Sequence, residues 1–274
     1  MLVVAQTLDE ILARPGRLVG FYGVPPRAAL LAAAVRHGAD LVDLDVHYGA
    51  PASRAVPDAY CHIIRNCVDN ALALRGRLAA VVAATGPEKC DGGRYAAVLL
   101  RDRLGLEVEA TANPGEDAPG PARLCEALGP VKARVVRIMR AVVEPLPAAE
   151  IADADAARCV PTVGLWGTPP HPIALLDLFP ETTHVFGWTR CVEQGRPADL
   201  DLEAVVPAGL PMVFFSQAFC QKAQLARHLA ERHRGLQVDV HDSVSAATTA
   251  KIEAFLRLAV APGEGRPAAM RGAR

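Results

Sequence analysis

The sequence predicts an α/β protein made of two tandem Rossmann-like halves, each with a parallel sheet, the two related by internal duplication. Three observations carry that expectation: apolar runs of strand length alternate with helical patterns, one loop motif occurs twice, and a second ungapped match surrounds two cysteines. In the first half RLVGFY, ADLVDLDV, RLAAVVAAT and LEVEATA read as short buried strands; VPTVGLW, THVFGW, LPMVFFS and LQVDVH repeat the series in the second. PRAALLAAAVRHG and YAAVLLRDRLG read as helices, each closed by a glycine at the expected end. Strands alternating with helices imply parallel sheets with helices on their faces.

The first repeat aligns VGFYGVPPR, beginning at Val19, with VGLWGTPPH, beginning at Val163, without a gap and with five of nine positions identical. The second aligns Cys90 with Cys220; Leu99/Leu229, Gly105/Gly235, Leu106/Leu236 and Val108/Val238 then fall at equal offsets. The predicted organisation is an N-terminal half over 1–112 carrying Cys61 and Cys90, a linker with a helix over 113–160, a C-terminal half over 161–261 carrying Cys220, and a flexible tail over 262–274. The linker opens on the Pro/Gly-rich NPGEDAPGPA and continues into a helix through VKARVVRIMRAVVEPL. The tail is poor in apolar residues. Tyr22 and Trp166 hold equivalent places in the repeated motif and are expected to pack a strand end against its helix.

Composition bounds the function. The 274 residues, 51% of them hydrophobic, suffice for a real core. Lys+Arg 29 against Asp+Glu 30 leaves a net charge of −1 and no overall pull toward nucleic acid. No run approaches the roughly 18 apolar residues of a membrane span, and MLVVAQTLDEIL lacks the features of a signal peptide. The expectation is a cytoplasmic protein with neither nucleic-acid nor membrane partners. Neither a GxGxxG nor a P-loop motif supports a nucleotide site. A GxSxG elbow is absent, and eight histidines lie scattered without HExxH or HxH spacing.

The cysteines are the most informative residues. There are seven, at 61, 67, 90, 125, 159, 191 and 220. An odd number without an export signal argues against a disulfide framework. The lack of CxxC argues against a zinc ribbon or a ferredoxin-type motif, so any metal site is assembled from distant segments. Cys90 and Cys220 each follow a predicted strand at the turn into a helix, and tandem halves bring such loops face to face. Cys61, in VPDAYCHIIRNCVDNALAL, lies at the start of the helix before the Cys90 strand. A helix N-terminus favours the thiolate that a metal needs. On residues alone the three read as iron–sulfur ligands, as zinc ligands or as buried structural thiols. Three thiolates on an Fe4S4 cube would leave one iron with an open position.

Cys67 is the natural substitute for Cys61, and Cys125, Cys159 and Cys191 read as core thiols. Beside the three candidates, Lys89, Asp91, Arg94, Gln221 and Lys222 are either tuning groups or solvated helix-start residues. His62 is either a supporting donor or an ordinary polar helix residue.

Four stretches resemble a known family. GFYGVPPRAALLAAAVRHGADLVDL, VPDAYCHIIRNCVDNALAL, VVAATGPEKCDGGRYAAVL and FFSQAFCQKAQLARHL with its continuation VDVHDSVSAATTAKIEAFLRL are similar to segments of the D-component of 2-hydroxyacyl-CoA dehydratases. That component shares its fold with catalytic subunits of ATP-dependent benzoyl-CoA reductase. The resemblance runs over most of 17–258 and implies a [4Fe-4S] cluster on Cys61, Cys90 and Cys220. It also implies an oxygen-sensitive lyase or oxidoreductase of anaerobic metabolism. An ATP-hydrolysing activator would inject one electron, and the cluster would pass it to a CoA thioester to form a ketyl radical. A paralogous larger subunit would complete the enzyme. The chain also departs from the family: only 113–160 and 191–210 stand where longer helical segments are expected, and Gln221 replaces an acidic residue after the third cysteine. An iron–sulfur or electron-transfer accessory that has lost its CoA site is therefore the alternative reading.

Overall fold

The computed structural model describes residues 1–4, 7–86, 89–241 and 243–260. The predicted tail over 262–274 and the Pro87–Glu88 part of the Cys90 loop lie outside the described residues. All eight predicted strands form: β1 (Leu18–Tyr22), β2 (Asp40–Asp43), β3 (Leu78–Ala84), β4 (Val108–Thr111), β5 (Gly164–Trp166), β6 (His184–Phe186), β7 (Met212–Gln217) and β8 (Leu236–Val240). They build two four-stranded sheets, ordered β2-β1-β3-β4 and β6-β5-β7-β8, with every neighbour parallel. The fold is α/β with two Rossmann-like sheets of the same strand order.

The helices of the first half are α1 (Leu8–Leu12), α2 (Arg27–His37), α3 (His62–Ala73) and α4 (Asp91–Val98), the last continued by a π-helical turn over Leu99–Arg103. Next come α5 (Arg123–Glu126), α6 (Val131–Ala141), which is the helix expected in the linker, and α7 (Ala148–Ala156). The second half adds a 3₁₀ turn over Ile173–Leu178, α8 (Trp188–Glu193), α9 (Leu200–Glu203), α10 (Lys222–His233) and α11 (Ala246–Val260). Helix α2 ends at Gly38, whose φ of 56° is the left-handed conformation that a terminal glycine accepts without strain.

The central strands are apolar without alternation because helices cover both sheet faces: β1 and β7 are buried at every position. Tyr22 and Trp166 are buried as expected. The Tyr22 hydroxyl donates to the carbonyl of Gly93 in α4 at 2.8 Å, and the Trp166 indole to that of Glu203 in α9 at 2.7 Å. The segment 113–122 has no regular structure yet is tied down against the end of α8. Glu116 N–H donates to the Gly195 carbonyl at 2.9 Å, and Gly120 N–H to that of Gln194 at 2.9 Å. Among the described residues, no helix is long and apolar enough to cross a membrane.

The sharpest backbone constraint in the repeated motif is Gly167, at φ 150°, where an added methyl would lie 2.6 Å from the Phe215 carbonyl oxygen. Gly167→Ala is expected to destabilise the chain by about 1–3 kcal/mol in denaturant unfolding. Gly76→Ala, at a site with open space, serves as the control and is expected to stay within about 0.5 kcal/mol. Equal stability of the two variants would contradict the packing described.

Candidate functional site

In an open sheet of this order, ligand loops gather where the connections diverge, beside β1/β3 in the first half and β5/β7 in the second. Cys90 follows β3 and Cys220 follows β7, as predicted. Cys90 is the N-cap of α4, and its sulfur accepts the Gly93 N–H at 3.4 Å. Cys61 is the N-cap residue of α3, where the Ile63 and Ile64 N–H groups favour its thiolate although the sulfur makes no capping hydrogen bond. Cys220 lies two residues before α10, and the Lys222 N–H opposes the rise of its thiol pKa. Three helix starts thus present three sulfurs, and that of Cys90 holds a backbone N–H, an environment that favours thiolates.

Cys61 and Cys220 approach one another across the two halves closely enough for each thiol to be the largest influence on the other's titration. Beside them the His62 N–H donates to the Ala218 carbonyl at 3.2 Å. The pair shares its protons unequally. The neighbouring Cys220 thiol, helped by the α3 N–H groups, lowers the Cys61 pKa to about 7, and the Cys220 thiol is raised by its proximity to Cys61 and by burial. Cys90 stands farther out and is exposed. Tyr60 links the two regions: burial and then the charges of Cys61 and Cys90 raise its phenol pKa. A methyl added at Gly92 would touch Ile64, the Tyr60 hydroxyl and the Cys90 sulfur at 3.6–3.9 Å, so the first turns of α3 and α4 pack side by side.

The spacing bears on which metal these thiols fit. A single tetrahedral zinc, with Zn–S bonds of about 2.3 Å, needs its sulfurs within roughly 4 Å of each other. Among the described residues, only His37, Glu107 and Glu109 have donor atoms all within 4.8 Å of one another, so the three sulfurs are spread more widely than one ion requires. A multi-iron cluster, whose ligands bind different irons, suits a wider set.

A charged layer lies beneath the thiols. The Asp45 carboxylate accepts the Gly23 N–H at 2.6 Å, and its pKa is pushed up to about 6 by burial, opposed by that bond and by Lys89. Asp43, which accepts the Asp45 N–H at 2.9 Å, is raised well above the usual carboxylate range by burial and by Asp45. Glu203 is 1% exposed and holds Lys222 Nζ at 2.6 Å. Lys89 from the first half also lowers the Glu203 pKa, although burial keeps the net shift upward.

Of the residues expected to tune the site, Lys89 and Lys222 join this layer. Asp91 and Arg94 pair with each other at 3.5 Å in solvent, and Gln221 is exposed. Cys67 does not stand in for Cys61: it is wholly buried in the core of the first half, where burial raises its thiol pKa. Cys125 and Cys191 are fully buried, in keeping with core thiols, and Cys159 is half-buried with its sulfur 3.8 Å from His184 Nε2.

Of the two readings of His62, a supporting donor or a polar helix residue on the surface, its burial does not fit the second. It is buried at 5% exposure, with ring neighbours His47 and His171. Tyr60 and the carboxylates after β2 were also not anticipated. Their signals were the Tyr-Cys dipeptide and the acidic DLD at the end of an apolar run.

No protein-family model matches the chain, and no curated protein matches it in sequence.

The thiol pair gives a direct expectation. In the reduced, metal-free chain one thiolate should form with a midpoint near pH 7, read by ultraviolet thiolate absorbance. Cys220→Ala removes the neighbouring thiol, so the midpoint should move upward, toward or past the ordinary thiol range of about 8.5. A midpoint unchanged by that substitution would contradict the contact.

Proposed function

We propose that Cys61, Cys90 and Cys220 hold a [4Fe-4S] cluster, and that the chain is the iron–sulfur subunit of an enzyme of the 2-hydroxyacyl-CoA dehydratase/benzoyl-CoA reductase type. The observation that carries this reading is the approach of cysteines from three helix starts in two halves, with Cys61 and Cys220 near enough to perturb one another's titration. When bound, such a cluster supplies one-electron transfer and, at the iron lacking a cysteine, a Lewis-acid position. The chain's own residues would then do identifiable work. N–H groups of Ile63, Ile64, Gly93 and Lys222 offset thiolate charge. Tyr60, kept protonated, is a neutral donor between two of the cysteines. Asp45, with a pKa near 6, is suited to take or give a proton around neutral pH. The partners of this reading are a paralogous larger subunit, an ATP-hydrolysing activator and a CoA thioester.

A second reading has one observation in its favour. In the segment 191–210, Glu203 is locked inward, its carbonyl on Trp166 and its carboxylate on Lys222. That segment therefore supports the core rather than opening a wide acyl-CoA groove, which suits a non-catalytic iron–sulfur accessory that transfers electrons. The readings separate on CoA: a thioester that perturbs the cluster's EPR signal favours the enzyme, and indifference favours the accessory.

Anaerobic reconstitution with iron and sulfide should give a brown chain with about four irons. Cys61→Ser, Cys90→Ser and Cys220→Ser should each lose most of that iron, whereas Cys67→Ser should keep it. A colourless wild-type chain, or a Cys61→Ser variant with full iron, would refute the assignment.

A further inference from the structure

Three histidines that share no local spacing meet at the seam between the halves. His47 comes from the loop after β2, His62 from the first turn of α3, and His171 from the loop after β5. Their ring centroids form a near-equilateral triangle: 6.0 Å for His47–His62, 6.2 Å for His47–His171 and 6.0 Å for His62–His171. His47 is exposed and His62 is buried, so the triangle runs from solvent into the seam.

The surrounding bonds fix two of the rings. Asn66 Nδ2 donates to the carbonyls of Asp45 and Val46 at 2.9 Å, which leaves Asn66 Oδ1 as an acceptor. That oxygen lies 3.1 Å from His47 Nδ1, so Nδ1 carries the proton and Nε2 is left with a bare lone pair. This is the outer-shell device by which proteins orient a metal-binding imidazole. His171 is held by its backbone: Gln217, fully buried, accepts the His171 N–H and donates to the His171 carbonyl, each at 3.0 Å. Its Nδ1 is buried with no hydrogen-bond partner. Ring packing alone gives no reason to leave a buried nitrogen unpaired, which costs free energy. Burial, then His62 and His47, lowers the His171 pKa to about 3, so that imidazole is neutral.

We propose that His47, His62 and His171 form a binding site for one divalent transition-metal ion of borderline softness, such as zinc, separate from the three cysteines. Bonds of about 2.0–2.1 Å to one nitrogen per ring would set the centroids roughly 5–5.5 Å apart. The rings are splayed wider than that and their nitrogens do not all lie within 4.8 Å of one another, so the rings must turn as well as approach to complete the set. Three histidines leave a fourth position, and the exposure of His47 opens it to solvent, the arrangement in which zinc carries an activatable water. The site does not depend on the iron–sulfur reading.

Cobalt(II) is the probe, added to the reduced full-length chain. One equivalent should bind with visible d–d absorption and no thiolate-to-cobalt charge transfer, and zinc should displace it. His47→Ala, a change at an exposed side chain that should leave thermal unfolding unaltered, is expected to weaken this binding at least tenfold. His171→Asn is expected to do the same. Iron uptake on reconstitution should be unchanged in His47→Ala, which separates this site from the cysteine set. Wild-type affinity in folded His47→Ala would overturn the proposal. So would bound cobalt that shows only thiolate charge transfer and is lost on Cys61→Ser.

Discussion

The contact on which the rest of this structure depends is the meeting of two loops across the seam between the sheets. The His62 N–H donates to the Ala218 carbonyl at 3.2 Å, and beside that bond the Cys61 and Cys220 thiols lie close enough to dominate one another's titration. Each loop is aimed by its own sheet. β7 is buried along its whole length and delivers Ala218–Gln221 at its carboxyl end. Helix α3 buries Ile64, Cys67, Val68 and Ala71 in the first half's core and so fixes the position of its N-cap, Cys61. Neither half alone assembles the thiol pair or the histidine triangle. Chemistry at the seam is therefore coupled to the docking of the halves.

Beneath the seam the fold carries charge where apolar packing would be simpler. Glu203 is almost fully buried and satisfied by Lys222 in the turn after Cys220, while Asp45 faces Gly23 and Lys89 and Asp43 holds the Asp45 N–H. Replacing such pairs by apolar residues is often neutral or stabilising, so they are weak evidence of a purely structural role. Perturbed carboxylates gathered near a cleft more often accompany function. Their positions under the three cysteines suit a site whose charge changes.

Much of the fold was legible because each central strand is a continuous apolar run bounded by turn residues, and glycines such as Gly38 mark helix ends. The cysteine-bearing helix starts were legible for the same reason: Cys90 and Cys220 follow strands that could be read directly. Cys67 could not be separated from Cys61 by sequence, since only the helix phase turns one into the core and the other toward the seam. The histidine triangle left no local pattern at all. His47 and His171 belong to loops and His62 to a helix start, and these approach one another only after both sheets have formed and docked, so neither periodicity nor spacing could announce it.

The most direct test of the central contact is thiol cross-linking in the metal-free chain. Mild oxidation followed by peptide mass spectrometry should recover a Cys61–Cys220 disulfide, joining residues far apart in sequence, as the predominant product. Cross-links that instead join Cys61 to some other cysteine, or none to Cys220, would mean that the two loops do not meet and that the shared site is wrong.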